Sequence, residues 1–321
     1  MFHDPTLVYS QIHSRDANMA ARALLGWKQE YDQLDGGEFC SSLEHISGAG
    51  MQLFRECFNL PVSQSASMPD NCISVVVPLD LSAQGNSDQA RNICANGITL
   101  LPYEGDVFWV CGQTSDYVVV SLSVDLLKQL LCDGDLNALM QAQRSYAFNL
   151  PVKHLQQLQR LLLSVLNDYR QGCVTDLFSA ELQQRSLQHA LVGSLLDLYV
   201  HQHESGNKEW RPLGNQHHYI VRESIAYISQ DENQSAGVLD ICKALNVPRR
   251  TLNYSFERVT GMAPSRYLRS LRLNRARREI LASSEPIGTI AERFGFSHAG
   301  YFGKEYRQLF GESASQTRQW S

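Results

Sequence analysis

Residues 248–261 read PRRTLNYSFERVTG. Leu252, Phe256 and Val259 recur at helical spacing behind Pro248, which suits a first turn, so one stripe of the segment is built to enter a core. Arg249, Arg250, Asn253 and Tyr254 are left pointing elsewhere, and what surrounds this helix decides what they touch.

Working outward, Val238, Ile241, Cys242, Leu245 and Val247 form a second short helical pattern just upstream. The whole unit then recurs. These five residues match Ile287, Ile290, Ala291, Phe294 and Phe296 at an offset of 49, and Leu252, Phe256, Val259 and Gly261 match Phe302, Tyr306, Leu309 and Gly311 at an offset of 50. The slip of one residue falls in the turn, where a loop absorbs it. Each copy is a short helix with a small residue at mid-length (Cys242, Ala291), a tight turn, and a second helix whose apolar stripe folds back on the first. That is the pattern of a helix-turn-helix, and it predicts two units, at about 237–260 and 287–310. The intervening APSRYLRSLRLNRARREILAS (263–283) has no Pro or Gly after Pro264. A rigid helix of about 20 residues spans about 30 Å, close to the roughly 34 Å between successive major grooves on one face of B-DNA.

Charge separates this region from the rest. The 321 residues carry a net −5, but residues 217–321 hold 15 Arg+Lys against 10 Asp+Glu, while residues 1–216 hold 13 against 23. Within 248–278 nine arginines face Glu257 alone, which predicts a phosphate-facing surface.

The first 216 residues have a different texture. ANMAARALLGWKQEYDQL (17–34) reads as a helix ended by Gly36 and Gly37. From about 38 to 122 short β-branched runs such as CISVVVPL, DVFWVCG and YVVVSLS alternate with turns, the pattern of a small sandwich or barrel, and SVDLLKQLL starts a helix near 123. Two leucine-rich helical patterns occupy 151–204 and predict a hairpin that packs on the sheet and pairs with a second copy; the polar stretch around 205–216 reads as a linker. The predicted fold class is therefore α+β: a β-rich domain over 1–150 with a helical hairpin, then an all-α double helix-turn-helix domain over 217–321.

The stretch IAERFGFSHAGYFGKEYRQLFG (290–311), preceded by the arginine-rich spacer, resembles the DNA-binding domain of the AraC/XylS transcription regulators over about 100 residues. Ala314 departs from that pattern, which has Pro after the Gly, whereas Pro264 keeps it in the first unit; the expectation is a local loss of stiffness. The resemblance implies a sequence-specific regulator that binds double-stranded promoter DNA. It places the base-reading face of the first unit on Arg250, Asn253 and Tyr254, with Arg249 and Thr251 beside them. Arg can bond both guanine O6 and N7, and Asn both adenine N6 and N7. In the second unit the outward positions are His298, Ala299, Gly300, Gly303 and Lys304, which suit backbone contact more than base readout. Arg272 and Arg275 of the spacer complete the DNA-binding set.

In this family the first domain commonly senses an effector and dimerises. A pocket inside the barrel is expected, with Tyr103, Glu104, Phe108 and Trp109 as candidate lining. WKQEYDQLDGGEF (27–39) and MQLFRECFNLPV (51–62) look like the corresponding part of the ethanolamine-operon regulators. The expected partners are promoter DNA and a second copy of the chain, with RNA polymerase and a small-molecule effector as further ones; a constitutive DNA-binding dimer controlled by a partner protein is the alternative reading. Nucleophile, phosphate-loop and zinc-protease motifs do not occur, so the reading is not an enzyme. The eight cysteines form no CxxC or CxH pair, so no metal and no cofactor are expected. Without a long apolar run or a signal-like start, no membrane partner is expected and cytoplasmic residence is the default.

Overall fold

The protein is described from a computed structural model that covers residues 7–80, 93–103, 105–112, 114–140, 146–173, 182, 185, 186, 188–193, 211, 212 and 216–319. β1 (Val8–Ser14) leads into α1 (Ala17–Arg22), whose first turn is capped by Asp16, with Oδ1 accepting from the Asn18 and Met19 amides at 2.9 and 3.0 Å. The helix expected over 17–34 ends here. Gly26 turns the chain at a φ of 85°, and Lys28–Gln33 becomes β2, paired along its length with β5 (Val62–Ser67). The apolar spacing had the helical period, but Tyr31 is buried between the sheets and Asp32, on the opposite face, is buried against α9, so this strand is wedged between two packed bodies and tertiary burial outweighs local pattern.

The strands continue as β3 (Ser41–Gly48), β4 (Met51–Phe58), β6 (Cys72–Asp80), β7 (Gly97–Leu100), β8 (Asp106–Cys111) and β9 (Ser115–Ser123). Then come α2 (Val124–Leu130), capped by Ser123, α3 (Asp133–Met140), β10 (Tyr146–Asn149), α4 (Val152–Arg170), a helical segment at 188–193 (α5) and β11 (Arg211–Pro212). Eight strands form one antiparallel sheet in the order β1-β3-β4-β9-β6-β7-β10-β11, and β2-β5-β8 form a second. Strands β6 and β9 read as continuous β-branched runs because both their faces are covered. Along β9, Tyr117 and Val119 enter the space between the sheets, while Val118, Val120 and Leu122 pack under Leu158, Leu162 and Leu166 of α4.

The apolar stripe of α4 is thus occupied by its own sheet. Most of the second predicted hairpin helix lies outside the described residues, though Leu191 and Val192 of α5 join the same cluster. Of the expected linker, Arg211 and Pro212 pair with Ala147 and Tyr146 of β10, adding a short strand at the sheet's end.

The C-terminal domain consists of α6 (Gln216–Ser229), a 3-10 turn at Asp231–Asn233, α7 (Val238–Ala244), α8 (Arg249–Thr260), α9 (Pro264–Ala282), α10 (Ile287–Arg293), α11 (Ala299–Phe310) and α12 (Ala314–Arg318). Helix α9 is the axle. Tyr267, Leu268 and Leu271 serve a first core with Ile241, Leu252 and Phe256, while Leu273, Ala276 and Ile280 serve a second with Ile290, Phe302 and Tyr306. The first core also takes in Leu34 and Phe108 from the N-terminal domain, so the outer face of the small sheet is covered by the helical domain. Among the described residues no helix is long and apolar enough to cross a membrane.

Candidate nucleic-acid interface

The two units share one turn built from different residues. After α7, Asn246 adopts a φ of 51° while Val247 N donates to Cys242 O at 3.0 Å and Asn246 N to Lys243 O at 3.3 Å. After α10, Gly295 adopts a φ of 82° while Phe296 N donates to Ala291 O and Gly295 N to Glu292 O, both at 2.9 Å. Both are left-handed Schellman caps. Ser297 is the extra residue in the second turn, which accounts for the slip in the repeat. Helices α8 and α11 end alike, at Gly261 and Gly311 with φ of 70° and 74°. Where the second unit lacks the expected proline, Ser313 caps α12: its amide donates to Gln316 Oε1 at 2.8 Å and its Oγ accepts from Gln316 N at 3.3 Å. Stiffness lost with the proline is supplied by that reciprocal pair.

Leu252, Ser255, Phe256 and Val259 bury one face of α8. Arg249, Arg250 and Tyr254 are exposed on the other, with Thr251 and Asn253 half-buried at its margin. Arg249, Arg250 and Asn253 make no hydrogen bond or ion pair with a described residue, so their donors face solvent. Tyr254 is held differently: Arg258 Nη1 donates to its hydroxyl at 2.8 Å, and the ring of His217 meets its ring edge-on at 5.0 Å. On α11 the equivalents of Arg249, Arg250, Asn253 and Tyr254 are Ala299, Gly300, Gly303 and Lys304, all exposed. A Cβ built on Gly300 or Gly303 would meet nothing within 4 Å, so internal packing does not demand glycine there. His298 is exposed at the helix N-cap.

The other arginines correct the sequence reading of a phosphate-facing row. Arg272 Nη2 donates to Ala236 O at 2.5 Å; Arg275 donates to Ile228 O and, at 2.6 Å, to Ser229 Oγ. Burial lowers both guanidinium pKa values. These two candidates lock helices of their own domain together. Arg269 pairs with Glu305 at 3.2 Å, and the remaining three reach the N-terminal domain. Arg266 meets Asp35 at 2.8 Å, and Arg278 meets Asp32 and Glu30, each at 2.8 Å. Arg277, 3% exposed, bonds Asp16 at 2.5 Å, Glu312 at 2.7 Å, Thr317 at 2.9 Å and Tyr306 at 3.1 Å. Burial alone would lower its pKa, but Tyr306 and the two carboxylates outweigh that and raise it.

Strand β2 and the turn after it touch both units at once. Asn274 of α9 clasps the Gln33 backbone, accepting from its amide at 3.0 Å and donating to its carbonyl at 2.8 Å. Gln33 Nε2 donates to Leu309 O at 2.7 Å, and the Gly37 amide reaches the same carbonyl at 3.2 Å. A Cβ on Gly36 would sit 2.5 Å from Gln308 O, so the close approach there requires glycine.

The candidates for the expected effector pocket do not come together inside the barrel. Trp109 points into the space between the sheets, and Phe108, next along the same strand, points out against the helical domain. Tyr103 is half-buried with its hydroxyl on Asn71 at 3.2 Å, and Glu104 lies outside the described residues. The interior is filled by Trp27, Tyr31, Phe54, Phe58 and Tyr117 around Glu56, which accepts from the hydroxyls of Tyr31 and Tyr117 at 2.9 and 2.7 Å. Burial lifts the Glu56 pKa to about 7 against those two bonds. A cleft of about 930 Å³ lies instead between the small sheet and α6 and α9, with Trp27, Lys28, Glu30, Phe108, Arg222 and Glu223 on its walls. Sequence reasoning missed this cleft, since its walls come from segments some 200 positions apart. His217 was missed too, because nothing in a lone His before a helix marks it as a neighbour of α8.

A protein with two helix-turn-helix units on one axle, each offering the outward face of its second helix, belongs to the class of double-headed DNA-binding proteins. Residues 241–319 match the family model described as a helix-turn-helix domain. The chain is 35% identical over 100 residues to a probable thc operon regulatory protein of Rhodococcus erythropolis, 30% of each chain. It is 31% identical over 98 residues to the transcriptional activator RhaS of Pectobacterium carotovorum, covering 30% of this chain and 35% of that one. A crystal structure of an AraC-type transcriptional regulator from Chromobacterium violaceum aligns at 30% identity and a TM-score of 0.30, over 32% of this chain and 90% of that one. The chain thus spans about a third of the length of the curated relatives it matches. Residues 241–319 thus form a helix-turn-helix domain of the type found in AraC/XylS-family transcription regulators.

Proposed function

We propose that the protein is a sequence-specific regulator that reads promoter DNA through α8 and α11 in successive major grooves. One observation carries this reading: of the nine arginines at 248–278, Arg249 and Arg250 present guanidinium groups with no partner among the described residues on the outer face of α8, beside Asn253, while the spacer arginines are engaged within the protein. In this arrangement Arg250 and Asn253 address base edges, and α11 lays a smooth, glycine-bearing face against the backbone with Lys304 and His298 near phosphates. Helix α9, 19 residues long, sets the separation of the two heads at about 28 Å.

The finer reading adds an effector and a second copy. The interdomain cleft is the place for the effector, since it is large enough for a small molecule and its walls are drawn from both domains. A dimer through 151–204 would use the polar outer face of α4, because the inner stripe is covered. Sedimentation of the full chain as a monomer at micromolar concentration would remove the dimer from this reading.

The test is a genome-wide footprint of the full-length protein at two salt concentrations beside Arg250→Ala. A shared motif that persists at higher salt and is lost in the variant supports specific readout. Binding that is uniform over sequence and vanishes with salt overturns it.

A further inference from the structure

The side chains around Tyr254 show more than a reading face. Half-exposed tyrosines on a helix surface ordinarily rotate freely, yet this one is held from two sides. Arg258, one turn on, donates to its hydroxyl at 2.8 Å. From the neighbouring helix α6, His217 sets its ring at 75° to the tyrosine ring with centroids 5.0 Å apart. The His217 ring is itself oriented. Its Nδ1 lies 2.9 Å from Ser255 Oγ, and Ser255 uses its own proton on Thr251 O at 2.7 Å, so Nδ1–H must be the donor to the serine oxygen. Ser255 is fully buried, so this bond fixes the imidazole to the core side of α8.

The base of this brace is fixed as well. His218, the next residue, donates from Nε2 to the carbonyl of Phe108 at 3.2 Å and packs its ring 5.5 Å from the Phe108 ring. Burial keeps it neutral, with a pKa lowered to about 4. The first turn of α6 therefore grips the N-terminal sheet with one histidine and the reading helix with the other.

We propose that His217 is a specificity-positioning residue: it holds the Tyr254 ring in one setting on the outer face of α8, so that the tyrosine reads its base step preformed. It touches no DNA itself and acts through Tyr254. The inference rests on the reading of α8 as a DNA-facing helix. A preset aromatic forfeits little rotational freedom on binding, and its contribution is sequence-dependent because it must meet a particular base edge.

The experiment selects sequences from a randomised DNA pool with the full-length protein and with Arg250→Ala, Tyr254→Ala, His217→Ala and His217→Phe, measuring affinity for selected and for scrambled DNA. His217→Ala is expected to relax preference at the same base positions as Tyr254→Ala. It should weaken the selected site by about three- to ten-fold, the scale of one aromatic pair, and leave scrambled DNA unchanged. His217→Phe, which keeps a ring edge against Tyr254, is expected to recover most of the preference and guards against a variant that simply unfolds. Equal weakening of both DNAs by His217→Ala, or no change where Tyr254→Ala shifts preference, overturns the proposal. So does a Tyr254→Ala variant with unaltered preference. Undiminished specific binding by Arg250→Ala would instead overturn the reading of α8 itself, which keeps the two failures distinct.

Discussion

The two helix-turn-helix units share a turn, a cap and a core, and differ in nearly everything that faces outward. The first carries Arg249, Arg250, Asn253 and Tyr254 where the second carries Ala299, Gly300, Gly303 and Lys304. They also differ in how they meet the N-terminal domain. The first docks through apolar packing of Leu34 and Phe108, with Tyr267 on Ser63 at 2.7 Å; the second docks through Arg277 and its carboxylates and through the carbonyl of Leu309. On the proposed reading a duplicated backbone serves once for reading and once for anchoring, and each unit is fastened to the N-terminal domain by different chemistry.

The largest effect that would sharpen this contrast is on the ionic side. Arg277→Ala strands Asp16 and Glu312 without their cation, and loss of about 3 to 5 kcal/mol is expected. Calorimetry should show it in the transition of the second unit; a loss below about 1 kcal/mol would mean the cluster behaves as a surface pair.

Acid should act on the other unit. The folded pKa of His218 is lowered to about 4, below the roughly 6.5 of an unfolded His. Its contribution to stability is therefore fully present above about pH 6.5 and is lost as pH falls toward 4, about 2 to 3 kcal/mol over that window. His218→Gln should flatten the slope relative to the parent in parallel denaturation curves from pH 4 to 7. An identical slope in both proteins would show that acid does not loosen the first unit through this residue.

On DNA, Arg250→Ala is expected to lose about 1 to 3 kcal/mol at one base position, while Lys304→Ala weakens all sequences alike and reduces the salt slope by about one. The division between reader and anchor breaks if Lys304→Ala abolishes sequence preference and Arg250→Ala leaves it intact. The smallest effect concerns Gly303. Ala there meets no neighbour, so thermal unfolding should show a gain of about 0.5 to 1 kcal/mol from helix propensity. The same variant should bind DNA more weakly if backbone proximity is the reason for glycine; tighter binding would deny that reason.

The repeat was legible because its apolar residues serve local pairs of helices, so periodicity and core agree. Leu252 and Phe302 could be assigned to cores fifty residues apart by the same rule. The arginines of α9 were misjudged for a related reason. Their partners, Asp16, Asp32 and Asp35, lie some 230 to 260 positions away, and composition cannot tell a guanidinium aimed at phosphate from one aimed at a distant carboxylate. Strand β2 failed on the same ground, since what makes it a strand is pairing with β5 and contact with α9, not its own spacing. On α8 the outward set was legible as residues left over from a stripe, but the setting of Tyr254 was not, because it depends on a histidine from another helix.

The two-residue strand at Arg211–Pro212 bears on how far the domains can part. Three residues lie between Pro212 and Gln216, where α6 begins, and the four chain steps between them, fully extended, reach about 14 Å. While β11 stays zipped to β10, the DNA-binding domain is on a short leash at the sheet's end. It can swivel about that point but cannot drift away, so a released domain would sweep a small arc and redock quickly.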